Sequence, residues 1–333
     1  MKNNKIDIYT SLKKSPFKFN PIDITIKDDA FHASDAPRFT EWWYFDAVFD
    51  NGYSIELNIR VLSIIKKRFV LIYKRIDLYK DGKLIKHHRK KYGLKNFEAS
   101  NDKPYVKIDG KEIIKGYEDK KTGKYIYDLN FEIENTSAEL HLESCTKGWK
   151  GNNPGGDGWA VIMPRADASG KIIVDNKEIK VKGIAYHDHN WDVRYSATKE
   201  NHGWFWGKIY SKSFTVTWAT IYKNKNIGQP LLVINENNGN YINFKSDQIK
   251  FIADKLSIDN KKMIPTHFTL EADNGKDKLK MDMQTKDLHH DTVMIRYHYW
   301  RYHVKCNGTI TMGDKSEKVK DIQIAEFLRF KNK

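Results

Sequence analysis

The run Gly183-Ile184-Ala185-Tyr186-His187-Asp188-His189-Asn190-Trp191-Asp192 concentrates side chains that could move a proton or hold a metal. On an extended strand, Tyr186, Asp188 and Asn190 point one way, and His187, His189 and Trp191 the other. Three readings fit. His187 and His189 form an HxH pair, which as a metal site needs further ligands. His202, His289 and His290 are available for that but follow no spacing pattern. Alternatively, Asp188 is hydrogen-bonded by Tyr186 or Asn190 and walled by rings. It then stays protonated near neutral pH and gives its proton to an alkene or enol. Aromatic faces would stabilise the developing cation. The third reading is a satisfied polar network that clasps a barrel.

A second constellation is Phe39-Thr40-Glu41-Trp42-Trp43-Tyr44-Phe45, one carboxylate among five rings. A strand puts Glu41 and Trp43 on one face, with Trp42 and Tyr44 on the other. A Glu desolvated by Trp faces suits proton transfer; a Glu paired with a basic residue is merely structural. A third stretch, Arg296 to Val304, centres on Trp300-Arg301-Tyr302 and offers a ring-lined wall or ordinary core packing.

The elements that must position these groups are strands. Tyr53, Ile55, Leu57, Ile59 and Val61 alternate with polar residues, as do Tyr125 to Ile133, Phe214 to Trp218 and Leu279 to Met283. Asp50-Asn51-Gly52, Asp81-Gly82, Asp109-Gly110, Asn238-Gly239 and Asn274-Gly275 supply the turns of antiparallel meanders. Residues 247 to 257 read as either strand or one short helix. The Gly-rich segment Lys147 to Gly158 reads as a surface or rim loop, since it lacks the Lys-Ser/Thr ending of a phosphate cradle. Ile322 to Phe330 reads as a closing strand. The expected fold is all-β, with two consecutive antiparallel β-barrel or sandwich domains. A break at Ser196 to His202 divides residues 1–198 from 199–333.

Composition narrows the function classes. The net charge is +15, but lysine is scattered; Lys86-His87-His88-Arg89-Lys90-Lys91 is the densest basic run. A nucleic-acid surface would gather such charge in one stripe, so no nucleic-acid partner is expected. The 2 cysteines, Cys145 and Cys306, imply neither a disulfide framework nor a metal pair. No apolar leader or membrane-length stretch is present, which leads to the expectation of a cytoplasmic protein.

Several of these pieces, in order, resemble the carotenoid 1,2-hydratase (hydroxyneurosporene synthase) and AttH-like family. They are Glu41-Trp42-Trp43-Tyr44, Pro164-Arg165 with Ser169-Gly170, Asp188-His189-Asn190-Trp191, Tyr299-Trp300-Arg301-Tyr302, Gly308-Thr309-Ile310-Thr311 and Ile324-Ala325-Glu326. The resemblance spans roughly residues 38 to 330 and implies two barrel-like domains, the second lipocalin-like. It also implies a hydrophobic cavity near the domain interface. Family hydratases are thought to use the Asp of the Asp-His-Asn-Trp element as proton donor, with the Tyr two residues before it. Those roles fall here on Asp188 and Tyr186. One departure is Asp192, where the family usually has Gly.

The expected function is binding of a hydrophobic, isoprenoid- or lipid-like small molecule, with Asp188 protonating a C=C bond. Hydration, isomerisation or cyclisation would follow, according to what captures the cation. Tyr186 assists, and Glu41 or His189 orients water. Trp42, Trp43, Tyr44, His189, Asn190, Trp191, Trp204 and Trp300 are the expected ligand-contacting residues. This chemistry calls for no cofactor, and no metal is assigned. The other reading is a lipocalin-type carrier in which Asp188 only organises the fold. Either would collect its ligand by peripheral contact with a membrane.

Overall fold

The computed structural model describes residues 9–11, 18–34, 39–65, 69–152, 158–194, 202–223, 226–237, 239–293 and 297–330. Among these, regular structure is β-strand, with 3₁₀ turns at Ile26–Asp29, Leu94–Asn96 and Ser246–Gln248. No helix among them is long and apolar enough to cross a membrane. The chain divides into two compact units, Pro21–Ala197 with Asn238–Asn240, and Met1–Asn20 with Thr198–Asn237 and Tyr241–Lys333.

The first unit is a 13-stranded sheet. Its alternating strands bury one face as read from the sequence. Ile55, Leu57, Ile59 and Val61 join Trp43, Phe45, Tyr127, Leu129 and Phe131 in one core. The strand Phe39–Phe49 lies between Tyr53–Ile65 and Lys177–Arg194, and the latter pairs onward with Gly158–Val174. Both candidate constellations are therefore neighbours, with Asp188 opposite Tyr44 and His189 opposite Trp43. Asp81-Gly82 and Asp109-Gly110 take the left-handed conformations expected of tight hairpin turns. The basic run falls on Lys83–Gly93, an edge strand of this sheet. Lysines there discourage pairing with another chain.

The second unit is an 11-stranded sheet whose core includes Phe205, Trp218, Phe251, Phe268, Trp300 and Phe327. Ile322–Arg329 pairs with both Gly203–Tyr210 and Tyr297–Met312, as a closing strand should.

Three expectations need correcting. Tyr9–Ser11 does not belong with the N-terminal domain. Tyr9–Ser11 pairs parallel with Asn226–Ile227 and antiparallel with Ala253 and Ile252, joining two strands of the second sheet. Three residues are too few to show a period in sequence. The ambiguous stretch 247–257 is strand, running Ile249–Asp259 with Ile249, Phe251 and Ala253 buried. Ile252 mimics a helical pattern because it packs beside that short closing strand. In the Gly-rich segment, Trp149–Asn152 is a strand rather than loop. Residues 153–157, like the break at 195–201, lie outside the described residues.

Candidate functional site

The alternation read from sequence holds, and it separates the candidate residues onto two sides of the same strands. On the side away from the core, Asp188 is buried and its carboxylate accepts hydrogen bonds from neighbouring side chains. Trp159 Nε1 and the Tyr186 hydroxyl donate to Oδ2 at 3.1 and 2.9 Å, and Asn190 Nδ2 donates to Oδ1 at 3.3 Å. Trp159 comes from the neighbouring strand, where it sits opposite Asn190. The spacing within residues 183–192 could not reveal it.

Tyr44 and Asp46 repeat this arrangement on the adjacent strand, with the Tyr44 hydroxyl donating to Asp46 Oδ2 at 2.9 Å. Because the strands are antiparallel, Tyr186 faces Asp46 and Asp188 faces Tyr44. The row then continues from Asp46 to Glu56 and Asp77. All three of these carboxylates are buried. Arg75 pairs with Glu56 and lies 3.5 Å from Asp77, while His87 Nδ1 reaches Asp77 at 2.6 Å. Trp42 shares this side, with the Arg60 guanidinium 4.9 Å above its ring.

On the core side stands a second polar cluster. Asp29, at the end of the Ile26–Asp29 turn, is fully buried against His187 and His189. Its Oδ2 accepts from His187 Nε2 at 2.9 Å and from the Tyr127 hydroxyl at 2.5 Å; its Oδ1 lies 3.1 Å from His189 Nδ1. The other nitrogen of His189 meets Glu41 Oε1 at 3.0 Å. That same oxygen accepts the His32 backbone N–H at 2.8 Å. His187 Nδ1 faces the Tyr44 carbonyl at 3.0 Å. Each ring nitrogen of His187 and of His189 thus faces an oxygen, and His189 stands between two carboxylates, a setting that favours its protonated form.

The electrostatics agree for His189. Burial alone would lower its pKa, but the Asp29 and Glu41 carboxylates hold the proton and push it up to about 9. Burial would raise Asp29, yet His187 and His189 keep it well below the ordinary carboxylate range. Glu41 is likewise held low against burial, by His189 and His32. Burial and the nearby Asp29 drive the Tyr127 hydroxyl well above its usual value. Rings lock the cluster: Trp43 stacks on His189 at 4.5 Å, Phe45 on His187 at 3.8 Å and Trp191 on His32 at 4.0 Å.

The structure therefore brings Asp188, Tyr186, Asn190, Trp42 and Tyr44 to one face. Glu41, His189, Trp43 and Trp191 lie on the other, so neither Glu41 nor His189 is placed to orient water at Asp188. The HxH pair does not act as a unit either, because His187 and His189 both turn to Asp29. Trp204 and Trp300 belong to the second unit. Trp300 is a core residue whose Nε1 donates to Asp259 at 2.8 Å, and Trp204 packs edge-on to Phe330. His289 and His290 are in that unit too, where His290 Nε2 meets His298 Nδ1 at 3.0 Å.

Asp192, where a glycine was expected, has φ +50° beside a register shift in the pairing with Phe39–Phe49. This is the left-handed conformation glycine adopts most easily, and Asp tolerates it better than most residues. The Ser34 hydroxyl reaches its carboxylate at 3.3 Å.

No family model and no curated protein matches the sequence. Solved structures do match in fold. An AttH-like protein from Nitrosomonas europaea aligns with TM-score 0.68 at 17% identity, over 90% of this chain and 94% of that one. Kievitone hydratase from Nectria haematococca aligns with TM-score 0.56 at 12% identity, covering 95% and 98%. CghA in complex with Sch210972 aligns with TM-score 0.50 at 11% identity, covering 88% of each. The chain shares its all-β, two-sheet, lipocalin-type fold with these structures.

Proposed function

We propose that this protein binds a hydrophobic, isoprenoid- or lipid-like molecule and protonates a C=C bond of it from Asp188, without a cofactor. The observation that carries this reading is the buried Asp188 carboxyl, held in place by donors from Trp159, Tyr186 and Asn190. Oδ2 takes two donors, from Trp159 and Tyr186, while Oδ1 takes the longer bond from Asn190. That two chains of this fold are named a hydratase and a complex with a small molecule supports the same class. The resulting cation is captured by water in hydration, or by a group of the substrate in cyclisation; loss of a proton gives isomerisation.

The second reading, a carrier, is favoured by the same three donors, which also satisfy an ionised Asp188 that only ties strands together. One experiment separates them. Ligand extracted from the purified chain is identified by mass spectrometry, then incubated with fresh protein in D₂O. Proton transfer to carbon places deuterium on the product in hydration, isomerisation and cyclisation alike. We expect Asp188→Asn to slow that incorporation by about 10²–10⁴-fold, as for other general acids. Incorporation at the wild-type rate in Asp188→Asn removes the proton-donor role. Ligand recovered unlabelled from the wild type favours carriage.

A further inference from the structure

On the opposite side of the sheet from Asp188, we propose that His32, Glu41 and His189 form a binding site for a divalent first-row transition-metal ion. The three residues each offer one ligand atom, and these atoms lie within 4.8 Å of one another. His189 Nε2 is 3.0 Å and His32 Nδ1 3.5 Å from Glu41 Oε1. A tetrahedral ion with nitrogen and oxygen ligands at about 2.0–2.1 Å holds its donors about 3.4 Å apart. The two distances to Glu41 Oε1 are therefore within a few tenths of an ångström of those in a coordination sphere.

Two further observations point to a ligand. Glu41 is fully buried, yet its Oε2 has no hydrogen-bond partner, and neither has His32 Nδ1. Such groups are costly to leave unsatisfied, and an ion between them would satisfy both. The supporting shell is also that of a metal site. His189 turns its other nitrogen to Asp29 at 3.1 Å, the carboxylate–histidine arrangement that orients metal-bound imidazoles. Trp191 fixes the His32 ring with planes only 5° apart, and Trp43 fixes His189. His32 keeps 28% of its side chain exposed, which gives an ion a route in.

Two imidazoles and one carboxylate suit zinc, cobalt, nickel or ferrous iron, and not the all-oxygen preference of calcium or magnesium. On binding, the ion takes the position of the proton between His189 Nε2 and Glu41. The His189 Nδ1 contact with the Asp29 carboxylate at 3.1 Å is kept. Three protein ligands leave a fourth position for Glu41 Oε2 or water.

The test uses the full chain, dialysed against chelator and titrated with Co²⁺ while its visible d–d absorption is followed, then with Zn²⁺ by calorimetry. We expect one equivalent of either ion and four-coordinate cobalt bands. His32→Phe keeps the stack on Trp191 but removes a ligand, and Glu41→Gln removes the charge. Each should weaken binding at least tenfold. His267→Ala is the control, since His267 also sits between two carboxylates, Asp254 and Asp282, at 2.6 and 2.7 Å. It should bind as the wild type does. Wild-type protein that takes up neither ion overturns the proposal, as does undiminished binding by folded His32→Phe and Glu41→Gln. Loss of binding in His267→Ala alone would do the same.

Discussion

At the scale of single residues, the groups with most energy at stake are those whose charges are buried together. Asp29 holds two imidazole rings and a phenol in a site without solvent. Its removal leaves the protonated His189 ring facing one carboxylate where there were two. Asp29→Asn is expected to destabilise the chain by about 3–5 kcal/mol, the usual cost of breaking a buried charge pair from one side. Urea unfolding checks this; a loss under about 1 kcal/mol would show that His189 is neutral in the fold. Asp188 was legible in the sequence because its neighbours are themselves unusual. Asp29 was not. Ile26-Lys27-Asp28-Asp29 reads as an acidic surface turn, and nothing local ties it to a histidine 158 residues later. His32 was missed for the same reason. Glu41 was noticed, but its side of the sheet depends on the pairing of Tyr44 with Asp188, and register of that kind is set by partners rather than by spacing.

At the scale of elements, period-2 alternation was enough to find most strands, because each buries one face. It failed where a strand is short or where both faces are covered. Thr215 and Thr217 are as deeply buried as Phe214 and Val216, and Tyr186, Asp46 and Glu56 are buried on the side that alternation would leave wet. The short strand Tyr9–Ser11 is the clearest case. The Tyr9 ring packs edge-on to Phe205, Tyr222 and Phe327 at 5.2, 5.0 and 5.6 Å, so it plugs the barrel that its backbone helps to close. Tyr9→Ala should cost about 3 kcal/mol through the cavity it leaves, measured by thermal or urea unfolding. Tyr9→Phe keeps the ring and should cost under about 1.5 kcal/mol. If the alanine variant matched wild type, the three-residue strand would be dispensable.

At the scale of the molecule, part of the excess of basic residues is taken into the sheets themselves. In the second unit, Arg301 and Lys208 are buried with Glu326, which accepts from Arg301 Nη1 at 3.3 Å and from the Tyr299 hydroxyl at 2.6 Å. His303 stands two residues on, also buried. Burial lowers its pKa most, and Arg301, Lys286 and His289 add to the effect, bringing it down to about 3. The sign of the pH dependence follows. In the unfolded chain His303 takes up a proton near its ordinary pKa of about 6.5. In the folded chain it stays neutral until about 3. Between those values the unfolded state binds the extra proton, so stability is full above the upper value and falls as acid is added. The slope is at most about 1.4 kcal/mol per pH unit for one such group. His303→Gln, which cannot titrate, should flatten that part of the profile. Its urea midpoint should gain on the wild type as pH falls from 6.5 toward 3. A constant difference between the two chains across this window would mean that His303 is charged in the fold, against the cations that surround it.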